Sequence, residues 1–276
     1  MNQKNSSMSA LGVWKQTFKT LLSNRIILLP FVIIGLINSI VLSLIFLAPQ
    51  PPFSYLLAPP IRVFWGDKFL HYPVNFILIP KLFNYAHIFT SATIGVLMAA
   101  LAIGMLKEAK SGNKPQMLIN LIYALKRFFA LFSVWLITFI IAAGVYRIPT
   151  LFSGIVDSSI FKILFFISYF IVALVEVAFI YAPPAIIIEK KGIISGIKQG
   201  LLFTKRKFLT TLLLVMIPAI LYLPLLVLRT KSAVLMNQFF PEITLIVLGL
   251  GIIGSVIINC LIICSTTTLF LNQREN

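Results

Sequence analysis

Few residues in this 276-residue chain could do chemistry, and most stand alone. Glu176 is the sharpest of them. It lies in the apolar run 160–182, and an ionisable group inside such a run is a functional candidate by default, as a proton relay or a cation site. The other reading is a structural carboxyl bonded to a neighbouring helix, with Asn38, Asn259 or Tyr169 as partner. Only one such acid is present, whereas proton relays use chains of groups. Glu189 follows that run beside Lys190 and Lys191, where it reads as a cap on the next helix or an exposed ion pair. His71 and His87 are the only histidines, and no Cys or acidic cluster accompanies them. No metal site is expected from so few ligands. Cys260 and Cys264 lie four apart in the last apolar run, where they read as packing residues on one helical face, not as a disulfide framework. The chain has no H-E-x-x-H, G-x-S-x-G or P-loop, and Gly192, Ser195 and Gly196 have the wrong spacing for a nucleophile elbow. No catalytic residue and no cofactor is expected, and the chain does not read as an enzyme.

The elements that must position these residues belong in a membrane. The chain is 59% hydrophobic and 11% charged, against about 25% charged residues in soluble domains. Lipid is the solvent that this composition fits. The net charge of +16 does not indicate nucleic acid. The basic residues sit in short segments between apolar runs, as membrane topology and anionic headgroups require, and not on a polar reading domain.

The expected fold is all-α: one membrane domain over 1–276 with six transmembrane helices. The spans fall at 26–48, 86–106, 128–146, 160–182, 208–228 and 243–270. The first rises about 34 Å at 1.5 Å per residue, enough for a ~30 Å hydrocarbon core. Three basic amphipathic surface helices are expected at 10–24, 116–127 and 192–205. In the first, Leu11, Trp14, Phe18, Leu21 and Leu22 share a face. The connection 49–85 carries seven prolines and many aromatics. No long helix is expected there, and its aromatics are placed at headgroup depth. Small residues four apart, such as Ser91, Gly95 and Ala99, mark packing faces. Residues 1–9, the connection 147–159 with Gly154 and Asp157, and the tail 272–276 read as polar and irregular.

Each surface helix leads into a two-helix hairpin, so the six spans form three parallel units. Six spans also put both termini on one side. That side carries 16 of the 23 Lys and Arg residues, and basic residues stay cytoplasmic. The expectation is a multi-pass protein of the cell (plasma or inner) membrane with both termini cytoplasmic. The first apolar run is too long and too far from the start for a cleavable signal peptide, and is read as a retained span. Anionic-lipid contacts are assigned to Lys15, Lys19, Arg25, Lys126, Arg127, Lys198, Lys205, Arg206 and Lys207.

One stretch carries a family resemblance. Pro183 and Pro184 lead to the aliphatic Ile186, Ile187 and Ile188, then Glu189, Gly192, and a helix with Ile197, Lys198, Lys205, Arg206 and Lys207. This pattern, with the N-terminal Trp14, Lys15, Phe18 and Lys19, resembles bacterial and archaeal six-span proteins related to the membrane domain of glycerophosphoryl diester phosphodiesterase. The resemblance implies an anchor or partner role, because the phosphodiesterase of that family is a separate soluble domain. It brings no catalytic residue with it. The expected function is therefore a structural or partner-binding membrane component. Its partners are a bilayer with anionic headgroups and, beyond that, another membrane protein. A small transporter or permease subunit using Glu176 and Pro-kinked helices is the alternative, and an intramembrane enzyme ranks last.

Overall fold

The computed structural model describes residues 9–152 and 158–273. The segment 1–8, the part of the 147–159 connection with Gly154 and Asp157, and the tail 274–276 lie outside the described residues. Among the described residues the fold is all-α, and six helices are long and apolar enough to cross a membrane.

In chain order the helices are α1 (Ala10–Ser23), α2 (Leu29–Leu47), α3 (Ser54–Trp65), α4 (Val74–Thr90), α5 (Val96–Lys110), α6 (Met117–Lys126) and α7 (Phe128–Leu151). Next come α8 (Ser158–Phe179), α9 (Ala182–Ile188), α10 (Ile193–Arg206), α11 (Phe208–Thr230), α12 (Ser232–Gln238) and α13 (Ile243–Asn272). Helices α1, α6 and α10 fall within a residue or two of the bounds expected for the three basic helices. Each leads directly into a span.

The proline-rich stretch departs from expectation. Residues 49–85 hold two helices, α3 with Pro59 and Pro60 inside it, and α4 with Pro80 inside it. A π turn at Ser91–Gly95 joins α4 to α5, giving one apolar helix over Val74–Lys110. Its 37 residues run well beyond the expected span 86–106. Each proline removes one N–H donor. In apolar surroundings, however, a helix still satisfies more of the backbone than an irregular loop does. The aromatics of this stretch also divide. Phe69 and Phe76 are buried in the core, while Tyr55, Phe64 and Tyr72 are exposed.

The chain forms two compact units. The first takes the described residues up to Leu28, Val96–Pro218 and those from Leu261 onward. Its core gathers Tyr181, Ala182, Ala185 and Ile186 with Val13, Leu131, Leu214 and Phe270. The second takes Leu29–Gly95 and Ala219–Cys260, with a core around Phe69, Phe76, Ile79 and Leu248. Within the second unit the Asn38 side chain of α2 is buried. Its Oδ1 accepts from Thr90 Oγ1 at 2.9 Å and lies 3.3 Å from His87 Nδ1. Polar pairs of this kind fix one helix against another inside lipid. In the same unit Tyr222 Oη donates to the Gly251 carbonyl at 3.2 Å.

The fourth span is broken. Helix α8 ends at Phe179, Ile180 and Tyr181 turn, and α9 begins at Ala182 with Pro183 and Pro184 in its first turn. Proline is at home there, because first-turn N–H groups have no partner within the helix. Helix α9 ends at Ile188 with Glu189 as its C-cap, and Lys190 adopts φ 58°, a left-handed conformation that stops the helix.

Candidate functional site

The break in the fourth span is held by α10, and the residues responsible are small. Gly196, Gly200 and Thr204 recur every four residues and so share one face of α10. All three are buried. A Cβ on Gly200 would lie 2.7 Å from the Ala182 backbone nitrogen and 3.0 Å from the Tyr181 carbonyl carbon. A Cβ on Gly196 would lie 2.7 Å from Ile186 Cγ1. Thr204 Oγ1 lies 3.2 Å from the Ala178 carbonyl oxygen and 3.4 Å from that of Val177. Those carbonyls end α8, where helix partners run out. It also lies 3.0 Å from the Gly200 carbonyl oxygen. Helix α10 thus lies backbone against backbone on the turn between α8 and α9.

Tyr181, at that turn, is fully buried among aromatic rings. Its centroid is 4.5 Å from that of Phe203 on α10 and 6.0 Å from that of Phe270 on α13, and the two phenylalanines are 5.0 Å apart. Its hydroxyl meets Thr211 Oγ1 at 2.8 Å. Thr211 Oγ1 donates to the Lys207 carbonyl at 2.9 Å. Since threonine has one hydroxyl proton, Tyr181 is the donor in its own bond.

Beside this aromatic cluster the same unit holds a cleft of about 190 Å³. Phe203 and Phe270 give it an apolar wall. Its polar lining comes from Glu189, Gln199, Arg206, Lys207 and Gln273. Arg206 is exposed, while Glu189, Gln199, Lys207 and Gln273 are half-buried. Further polar contacts join α13 to its neighbours in this unit. Asn272 Nδ2 donates to Gln16 Oε1 of α1 at 2.7 Å, and Lys110 Nζ of α5 donates to Asn272 Oδ1.

All nine basic residues assigned from the sequence to lipid contact fall in this one unit. Lys15, Lys19, Arg25, Lys126, Lys198, Lys205 and Arg206 are exposed, and Arg127 and Lys207 are half-buried. Arg127 donates to the Lys190 carbonyl at 3.4 Å and lies over the Tyr123 ring, 5.9 Å from its centroid. The three basic helices also expose apolar side chains. These include Leu11, Phe18 and Leu22 on α1, Leu118, Ile122 and Leu125 on α6, and Ile194, Leu201 and Leu202 on α10. On α1 the expected face splits, because Val13, Thr17 and Leu21 are the residues that pack inward.

Glu176 belongs to α8. It lies in the middle of the fourth span, on an exposed face of α8. Lys162, Tyr169 and Glu176 follow one another at seven-residue steps, nearly two helical turns each, and all three are exposed. Tyr169 Oη bonds to Tyr146 Oη of α7 at 3.4 Å. Asn38 is engaged with Thr90 and His87. Glu189 is the C-cap of α9, while the N-cap of α10 is Gly192, with no side-chain bond. The structure therefore places Glu189 at the end of the preceding helix, not at the start of the following one. Cys260 and Cys264 are both buried in α13, and His87 stacks on Phe83 at 5.9 Å.

No site role is expected from the sequence for Gly196, Gly200, Thr204, Gln199 or Gln273. The four-residue spacing of the first three was a usable signal, the same one noted for Ser91, Gly95 and Ala99. The two glutamines gave none, since only tertiary structure brings positions 199 and 273 together. Comparison with protein-family models, curated proteins and solved structures finds no match to this chain.

Proposed function

We propose that the chain is a structural membrane component with both termini in the cytoplasm, and that its three basic helices hold anionic lipid at the cytoplasmic leaflet. One observation carries this reading. A single compact unit contains all nine basic side chains, on or at the ends of three helices that also expose apolar residues. A helix of that kind lies in the interface, with its apolar side chains toward acyl chains and its cations toward headgroups. Each Lys or Arg near an anionic surface contributes about 1 kcal/mol, and nine of them act on one leaflet. No part of this reading calls for catalysis. The resemblance drawn from the sequence would imply the same anchoring role.

Lipid enrichment tests it. The purified chain is reconstituted in mixed phosphatidylglycerol and phosphatidylcholine, and the lipids at its boundary are measured with spin-labelled analogues. Phosphatidylglycerol is expected to be enriched at low salt. At about 1 M salt, where the Debye length is about 3 Å, the preference should largely vanish. Replacing the nine basic residues with glutamine should have the same effect. A preference indifferent to both salt and substitution would rule the reading out.

A further inference from the structure

We infer that the cleft beside Phe203 and Phe270 is a seat for the phosphodiester of one membrane-lipid headgroup. This rests on the proposed function in one respect, that the basic helices lie at the lipid surface.

Depth is the first argument. Three of the candidate spans are Ile160–Ile188, Phe208–Thr230 and Ile243–Asn272. The lining residues Glu189, Lys207 and Gln273 are each the residue next beyond an end of one of these spans. The cleft thus lies where three helices leave the hydrocarbon, which is the depth of lipid phosphates.

Chemistry is the second. Arg206 presents a guanidinium fork and Lys207 an ammonium, the two side chains that bind phosphate oxygens through charge-assisted hydrogen bonds. The amides of Gln199 and Gln273 supply neutral donors. Phe203 and Phe270 give the apolar wall that a glycerol backbone and the first acyl carbons would meet.

Charge and size are the third. Arg206, Lys207 and Glu189 together give the lining a net charge of about +1 at neutral pH. A phosphodiester carries one negative charge. A free phosphate or phosphomonoester carries up to about two near pH 7. The charge therefore matches the diester of a phospholipid. A cleft of about 190 Å³ has the room of about six water molecules, which suits one small headgroup and not a whole lipid.

The test is lipid retention by the full-length chain in native mass spectrometry, after reconstitution with phosphatidylglycerol, phosphatidylethanolamine or diacylglycerol. The wild type is expected to keep one molecule of either phospholipid and no diacylglycerol. Arg206→Gln with Lys207→Gln should weaken that retention by roughly tenfold or more, as expected when charge-assisted bonds are lost. Lys15→Gln with Lys19→Gln removes the same charge from α1 and should leave it intact. Millimolar inorganic phosphate should not displace the lipid. Gln199→Ala with Gln273→Ala, which keeps every charge, should weaken retention severalfold and serves if the first variant fails to fold. Equal retention by wild type and both cleft variants would overturn the proposal. So would retention of diacylglycerol, or displacement by inorganic phosphate, which would make the ligand a soluble anion. If the cleft and α1 variants lose lipid equally, general surface charge explains the binding. The cleft then fails while the proposed function stands. If the cleft lipid is retained but boundary enrichment ignores charge, the proposed function fails and the cleft stands.

Discussion

Gly200→Leu is expected to destabilise the protein by about 3 kcal/mol or more, so that little folded chain accumulates in the membrane. Overpacking ordinarily costs about 1–3 kcal/mol. Here the new atoms would meet backbone, not a side chain able to swing aside. Even a bare Cβ at position 200 would lie 2.7 Å from the Ala182 nitrogen, 3.0 Å from the Tyr181 carbonyl carbon and 3.1 Å from the Ala182 Cα. That backbone is the turn between α8 and α9, and Pro183 and Pro184 stiffen the first turn of α9. Neither side can yield without losing the Thr204 contacts to the end of α8. Gly144→Ala is the matched control, because a Cβ there meets nothing within 4 Å. It should be neutral, or stabilising by up to about 1 kcal/mol. Thermal unfolding in detergent, followed by size-exclusion elution, compares the two. A Gly200→Leu protein that melts with the wild type would show that α10 does not lie against the turn.

Tyr181→Ala comes next in size, with an expected loss of about 3–5 kcal/mol, the range for truncating a large buried ring. The side chain is fully buried, and both Phe203 and Phe270 would lose their ring neighbour. Tyr181→Phe separates packing from hydrogen bonding. It keeps the ring and removes only the donation to Thr211, whose own proton already goes to the Lys207 carbonyl. That change should cost about 1 kcal/mol. The ratio between the two variants is the discriminating quantity. Similar losses would place the stability in the hydrogen bond and contradict the aromatic cluster. Measured helicity and melting temperature in detergent give both numbers.

The count of long apolar helices and the bounds of the three basic helices were legible because both rest on local patterns. Long uncharged runs specify a membrane helix through backbone satisfaction alone. Ile193, Ile194, Ile197 and Leu201 set against Lys198, Gln199 and Lys205 mark a helix on 192–205 almost to its final bounds, Ile193–Arg206. Pro183 and Pro184 stand at a real break, in the first turn of α9. Pro59, Pro60 and Pro80 announced breaks that do not exist, since the same residue type is tolerated inside α3 and α4. Local propensity does not say which of these outcomes an apolar environment selects. Glu176 shows the other limit. Its position midway along a span was readable, but the face it occupies depends on how α8 packs, and that face is exposed. The cleft was legible only in part. Its cations were assigned to lipid, but Gln273 joins them through tertiary packing across more than sixty residues of chain.

The central claim is that α1, α6 and α10 all lie at the cytoplasmic face of the membrane, and side-specific cysteine labelling tests it most directly. Single cysteines replace Lys15, Lys126 and Lys198, one exposed residue on each helix. The background chain carries Cys260→Ala and Cys264→Ala. A fourth cysteine replaces Asp67, which is well exposed in the connection expected on the opposite face. A membrane-impermeant maleimide is applied to intact cells and to inverted membrane vesicles. Positions 15, 126 and 198 are expected to react only in inverted vesicles, and position 67 only in intact cells. Reaction of any of the three helices in intact cells, or of position 67 from the cytoplasmic side, would contradict the claim.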